Sequence, residues 1–180
     1  MTKRTYPLPG APYLFPDVPN PNVRHAADHF FEVALSIKAL TPEYVRRPVA
    51  SIVNAAFALE LYLKSMNSDL TLGLQLHGIS EPRKKGHDTV ALLDALEAPV
   101  KRDLIGMYKA HPLARRHPDL RTLLKTYDKT FLDWRYVFEG NYDKLKPEEF
   151  KHLLKLLGFF RKATFEMQRH QLPPKQPQRR

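Results

Sequence analysis

The densest apolar run in the chain is Val49 to Met66, VASIVNAAFALELYLKSM, in which thirteen of eighteen residues are Val, Ala, Ile, Phe, Leu, Tyr or Met. That density is too high for one stripe of a surface helix, so the run reads as a central helix covered on several sides. Its two charges, Glu60 and Lys64, stand four apart in the favourable acid-to-base order and share one face. Those charges, and a length below the roughly 20 apolar residues of a bilayer crossing, count against a membrane span.

The helical period recurs on both sides of this run. Ala27, Phe30, Phe31, Val33, Ala34, Ile37 and Leu40 mark a helix from Val23 to Leu40 with Asn22 as its cap. Thr41-Pro42-Glu43 has the form of another helix start, and Pro48 places a break near Arg47. Val90, Leu92, Leu93 and Leu96 follow an Asp88 cap, and Pro99 separates them from a shorter helix, Val100 to Ala110, which His111-Pro112 ends. From Pro118 a long helix carries Leu120, Leu124, Tyr127, Phe131, Trp134 and Phe138 as one continuous stripe to Gly140. The last helix starts near Pro147, turns Phe150, Leu153, Leu154, Leu157, Phe160 and Phe165 inward, and fades by Leu172.

One stretch has a different period. Leu70, Leu72, Leu74 and Leu76 alternate with Thr71, Gly73, Gln75 and His77, which is strand spacing. A hairpin with residues near Ile79, pairing with a second copy of the chain, and an apolar loop lying on the helices all fit it. The loop is the expectation.

These elements predict an all-α fold: an up-and-down bundle of four main helices plus shorter helices, with an extended Pro-rich N-terminal arm. The arm, residues 1–22, holds Pro7, Pro9, Pro12, Pro16, Pro19 and Pro21, which favour extended geometry, and its Tyr6, Tyr13, Leu14 and Phe15 can dock on the domain or on a second copy. Residues 23–171 form the bundle domain. Residues 172–180, LPPKQPQRR, make a basic tail that its composition predicts to be disordered.

Composition changes the picture in two ways. The chain has no cysteine, which excludes disulfides, thiolate metal sites and a cysteine nucleophile. Lys plus Arg exceed Asp plus Glu by 29 − 19 = 10, a surplus that favours acidic partners such as RNA, a nucleotide or an acidic protein. Six of the basic residues lie between Arg161 and Arg180 against one acid, Glu166. Those of the body cluster at Arg46-Arg47, Arg83-Lys84-Lys85, Lys101-Arg102 and Arg115-Arg116, where ordinary solvated charge is the plain reading. The opening MTKRTYPLPG has no apolar run behind its basic residues, so a secretory signal is not expected and a cytoplasmic location is.

Candidate chemistry is sparse. No phosphate-binding glycine motif, serine elbow or zinc framework is present, and no cofactor or metal is expected. His25-Ala-Ala-Asp28-His29 spaces two histidines like a zinc motif, but Asp28 stands where a Glu is needed and no third ligand follows. Arg83, Lys84 and Lys85 precede a helix N-terminus, where free backbone donors could help hold an anion; a flexible basic loop is the competing reading. A polar set remains inside otherwise apolar helices and at their ends: Asn54, Glu60, Lys64, His87, Asp88, Arg135 and Glu139.

The segments AFALELYLKSM, GHDTVALLDAL and FLDWRYVFEG, in this order and separation, resemble the higher eukaryote and prokaryote nucleotide-binding (HEPN) superfamily over roughly Val49 to Lys162. The resemblance implies an all-helical, frequently dimeric bundle. It also implies either a metal-independent RNase site or a non-catalytic module that binds a nucleotide, RNA or a partner protein, often in toxin–antitoxin or defence systems. The family's catalytic signature is Arg, four to six residues, then His. Counted from Arg135, the possible histidine positions hold Gly140, Asn141 and Tyr142; Arg83 to His87 leaves three residues between, and Arg102 to His111 leaves eight. Arg135 alone matches the catalytic pattern, while Glu60, Lys64, His87 and Glu139 match the general pattern of the fold. The resemblance therefore favours a non-catalytic module acting as a homodimer, with no membrane association. The alternative is an RNase whose acid–base residue is His87 or comes from a second subunit, with Arg135 holding phosphate charge. Arg135 is expected to be partly buried and paired with Glu60 or Glu139, with His87 close by.

Overall fold

A computed structural model describes residues 13–14, 19–40, 48–72, 78–82, 85–128, 130–135 and 147–171. The central helix, α2, spans Val49–Met66 as its composition dictates, and Ile52, Ala55, Ala58, Leu59, Tyr62, Leu63 and Met66 are all buried. It meets the length and composition of a membrane-crossing helix, yet most of it is enclosed by its neighbours. Helix α1, Pro21–Leu40, covers one side of it, and two further helices, α6 (Thr130–Arg135) and α7 (Pro147–Gln171), cover others.

Small residues let α1 and α2 approach closely. Ala27 and Ala34 on α1, and Ala55 and Ala58 on α2, are fully buried, and the Ser51 hydroxyl donates to the Ala34 carbonyl at 2.6 Å. At the other end the Asn20 amide donates to the Ser65 carbonyl at 2.7 Å, so the two helices run antiparallel. Gln168 of α7 donates to the Pro19 carbonyl at 2.8 Å, which sets the end of α7 beside the start of α1 and makes α7 run with α2. The Tyr62 and Phe160 rings stack across that contact at 6.4 Å.

The cap of α1 is Asn20 and not Asn22: its side-chain oxygen accepts from the Asn22 and Val23 amides at 3.1 and 3.3 Å. Pro21 explains the shift, because a proline fits the first helical position and moves the cap one residue before it. Helix α3 (Thr89–Asp94) starts as expected, with Asp88 accepting from the Ala91 amide at 2.6 Å. Helix α4 runs over Ala98–Ala110, two residues longer than expected, with Pro99 in its first turn; a 3-10 turn, Pro112–Arg115, follows it. The Thr41-Pro42-Glu43 start, most of the Pro-rich arm and residues 172–180 lie outside the described residues.

The expected long helix from Pro118 to Gly140 is broken. Helix α5, Leu120–Lys125, is capped by Asp119, and α6 resumes at Thr130. Between them Thr126, Tyr127 and Asp128 close i to i−3 bonds, the tight geometry of a helix end. Helix α3 supplies the reason. The Thr89 hydroxyl donates to the Leu124 carbonyl at 3.1 Å, and the Asp128 carboxylate accepts from the Thr89 amide at 2.9 Å, so groups at the end of α5 bond to α3. Residues 136–140 lie outside the described residues.

The alternating segment is not a loop over its first part. Strand β2, Ser68–Leu72, pairs antiparallel with β3, Gly78–Pro82, placing Thr71 opposite Ile79, and β1, Tyr13–Leu14, adds to its other edge. An isolated strand would leave its backbone donors and acceptors unpaired, and residues 78–82 supply the partners. This small sheet accompanies a fold that is otherwise all-α. On α7 the buried apolar positions are Phe150, Leu153, Leu156, Leu157, Phe159, Phe160, Ala163 and Met167, whereas Phe165, expected inward, is 53% exposed.

Burial ranks these positions energetically. Leu59→Ala should lower the unfolding free energy by about 2–5 kcal/mol, and Phe165→Ala should change it by no more than about 0.5 kcal/mol. Urea denaturation of both variants checks the ranking.

Candidate functional site

Glu60 is the one acid inside α2, and the helix buries it: its side chain is 1% exposed. A carboxylate there requires partners, because an unpaired charge in an apolar surrounding costs several kcal/mol. It has two. Lys64, one turn on, donates from Nζ to Oε1 at 2.6 Å, and the His87 Nδ1 lies 2.8 Å from Oε2. An ionised carboxylate only accepts, so the Nδ1–H of His87 donates to it. The imidazole is thereby fixed in orientation with its side chain 43% exposed, and its Nε2 makes no hydrogen bond to a described residue.

The chain reaches this position by a local turn. Gly86, just before His87, has φ +111°, in the left-handed region that glycine enters without strain. His87 then rests against the Phe131 ring at 5.6 Å; Phe131 stacks on Phe57 at 4.9 Å, and Phe57 meets Phe30 edge-on at 4.6 Å. A row of aromatic rings from α1, α2 and α6 therefore backs the histidine. Such a carboxylate–imidazole pair can orient a hydrogen bond to an anion or move a proton at Nε2.

Of the residues singled out in the sequence, the structure brings Glu60, Lys64 and His87 together. Asp88 adjoins them in sequence but is committed to the cap of α3. Asn54 bonds its own helix, donating to the Ala50 carbonyl at 2.7 Å. Arg135 ends α6, one helical turn beyond Phe131; its side chain, with Glu139, Arg83 and Lys84, lies outside the described residues, so its expected pairing does too. Glu60, one of its two expected partners, is held by Lys64 and His87. Lys85 is exposed. His25 and His29 are exposed on α1, and among the described residues no three His, Asp or Glu side chains gather as a metal site would require.

A second polar cluster went unread in the sequence. Asp28 accepts from Arg24 at 2.7 Å and from the buried Tyr62 hydroxyl at 2.6 Å, while Arg161 of α7 lies 3.6 Å from Asp28 and bonds Glu32. Burial, then the Asp28 carboxylate, raises the Tyr62 phenol far above the usual tyrosine range, so it stays protonated and donates. The spacing Arg24, Asp28, Glu32 was the available signal: three charges on one helical face.

No family model, curated protein or solved structure matches the chain. The HEPN resemblance stands on its three segments alone.

Asp128 gives the site region a pH dependence. Burial, and then the neighbouring Asp88 carboxylate, raise its carboxyl above the ordinary value. A group that binds its proton more tightly in the folded state stabilises below its unfolded pKa, about 3.9 for aspartate, and that contribution is lost as pH rises through the folded value. Asp128→Asn cannot ionise and keeps an oxygen for the Thr89 amide. Between pH 4 and 7 the variant should therefore lose less melting temperature than the parent, which thermal scans across that range would show.

Proposed function

We propose that the chain is a non-catalytic helical module, HEPN-like in build, that binds an anionic ligand, RNA or a nucleotide. It works in the cytoplasm as a homodimer; a partner protein is the other ligand class open to it, and a toxin–antitoxin or defence system its setting. The observation that carries the non-catalytic reading is the state of Glu60. Its carboxylate is buried and shared between Lys64 and His87, so the polar cluster fastens α2 to the turn before α3. The absence of a histidine at residues 140–142 points the same way. The positive balance of the chain supports an anionic ligand.

One observation favours the second reading, an RNase. The imidazole of His87 is partly exposed and oriented by a buried carboxylate, which is how a general base is held. In that reading His87 moves the proton and Arg135 stabilises phosphate charge.

Binding and cleavage of a labelled single-stranded RNA at low salt separate the two. The parent should bind and leave the RNA intact, and a chain ending at Leu172 should still bind. Arg135→Ala should melt near the parent and bind RNA at least about tenfold more weakly, the loss of a forked phosphate contact. A parent that binds neither RNA nor a nucleotide contradicts the module. Cleavage that both His87→Ala and Arg135→Ala abolish establishes the RNase, and sedimentation as a monomer at high concentration removes the dimer.

A further inference from the structure

Among the described residues, most cations that lie near an acid are paired with it. Lys64 has Glu60, Arg24 has Asp28, Arg161 has Glu32, and Lys101 and Arg121 share Asp94. One region differs. A cleft of about 610 Å3 lies between the turn after α4 and the middle of α7, lined by Arg115, Arg116 and Lys155, by His111 and His152, and by the apolar Pro112 and Leu113. No acid lines it. Arg115, Arg116 and Lys155 are exposed and have no ion pair or side-chain hydrogen bond to a described residue.

The surroundings sharpen the imbalance. Lys162, two turns beyond Lys155 on the same face of α7, is close enough that its charge, after burial, lowers the His111 imidazole below the ordinary value. The acids nearest in sequence have partners of their own: Asp119 accepts from the Arg121 and Thr122 amides, and Glu149 and Glu166 each have interactions. Like charges held around one concavity repel, and a multivalent anion offsets that repulsion. From Lys155 to Lys162 the helix rises about 10 Å, at 1.5 Å per residue, so these two cations are spaced along α7 and do not converge on one point. The ring of His111, packed 5.3 Å from Phe159, and the ring of His152, packed 5.0 Å from His117, line the same cleft.

We infer that this cleft binds the phosphodiester backbone of a single-stranded nucleic acid, with Arg115, Arg116, Lys155 and Lys162 along the phosphates and the His111 and His152 rings lining the same cleft. A row of cations beside stacking surfaces is the arrangement that holds single strands without reading their sequence. The volume lies within the range of about 300–1,000 Å3 of sites for small ligands, so a mononucleotide enters by the same chemistry. The inference rests on the anion-binding reading above and adds to the Arg135 contact a second contact region, formed by residues that follow α4 in sequence.

The test uses the full chain and a labelled oligouridine over a salt series. Arg115→Gln/Arg116→Gln/Lys155→Gln removes three exposed charges, and Lys38→Gln/Arg102→Gln/Lys125→Gln removes three elsewhere on the surface. The cleft variant should bind at least tenfold more weakly, and its log–log salt slope should flatten by about 2, at about 0.7 per single-strand phosphate contact. The control should stay within threefold of the parent, and uridine monophosphate should compete with the oligomer in the parent. Equal losses in the two variants, or parent-like binding by the cleft variant, overturn the cleft and leave the anion-binding reading standing. A parent that binds no oligomer overturns both.

Discussion

A carboxylate lies inside the most apolar helix of the chain, and that constraint reaches furthest through the structure. Buried there, Glu60 needs hydrogen-bond partners for its carboxylate oxygens. Lys64 supplies one from the same helix, at the spacing that sets two side chains on one face. His87 supplies the other from a distant part of the chain, and the bond between them holds the turn after Gly86 against α2. Asp88 is then placed to cap α3, and Thr89 to bond the end of α5. One buried charge thus organises the approach of three helices.

The same logic, polar groups near the core made safe by partners from other elements, recurs at the helix ends. Asn20 caps α1 and its amide joins the end of α2; Ser51 reaches the backbone of α1; Tyr62 and Asp28 tie α2 to α1 beside Arg161 of α7. Each bond costs little to form when both groups are already desolvated, and each is expensive to leave unmade. They fix the depth and direction in which apolar faces meet. Hydrophobic burial alone is non-directional.

The helical period made the main elements legible, because Val49 to Met66 and the stripe beginning at Phe150 announce themselves through local spacing. Asp88 was legible as a cap for the same reason. The break at residues 126–128 was not, since its cause lies in Thr89, far away in sequence. Asn22 has the residue type of a cap, but Pro21 fits the first helical position and leaves the cap to Asn20. The pairing of residues 68–72 with 78–82 was among the compatible arrangements, but strand spacing does not say which segment supplies the partner. For the site, Glu60 and Lys64 were readable as a pair and His87 only as a member of a set. The contact between Glu60 and His87 is tertiary and no spacing rule reaches it. The cations at Arg115 and Arg116 read as solvated charge because Lys155 joins them only through folding.

The bond between Glu60 and His87 couples the central helix to the turn that precedes α3. A double-mutant cycle of Glu60→Ala and His87→Ala, read by urea denaturation, measures that coupling apart from the loss of Lys64 as a partner. Contacting residues in one network show interaction energies of about 0.5–3 kcal/mol, and a value above about 1 kcal/mol is expected for a hydrogen bond to a buried charge. Additive effects, within about 0.3 kcal/mol, would contradict it.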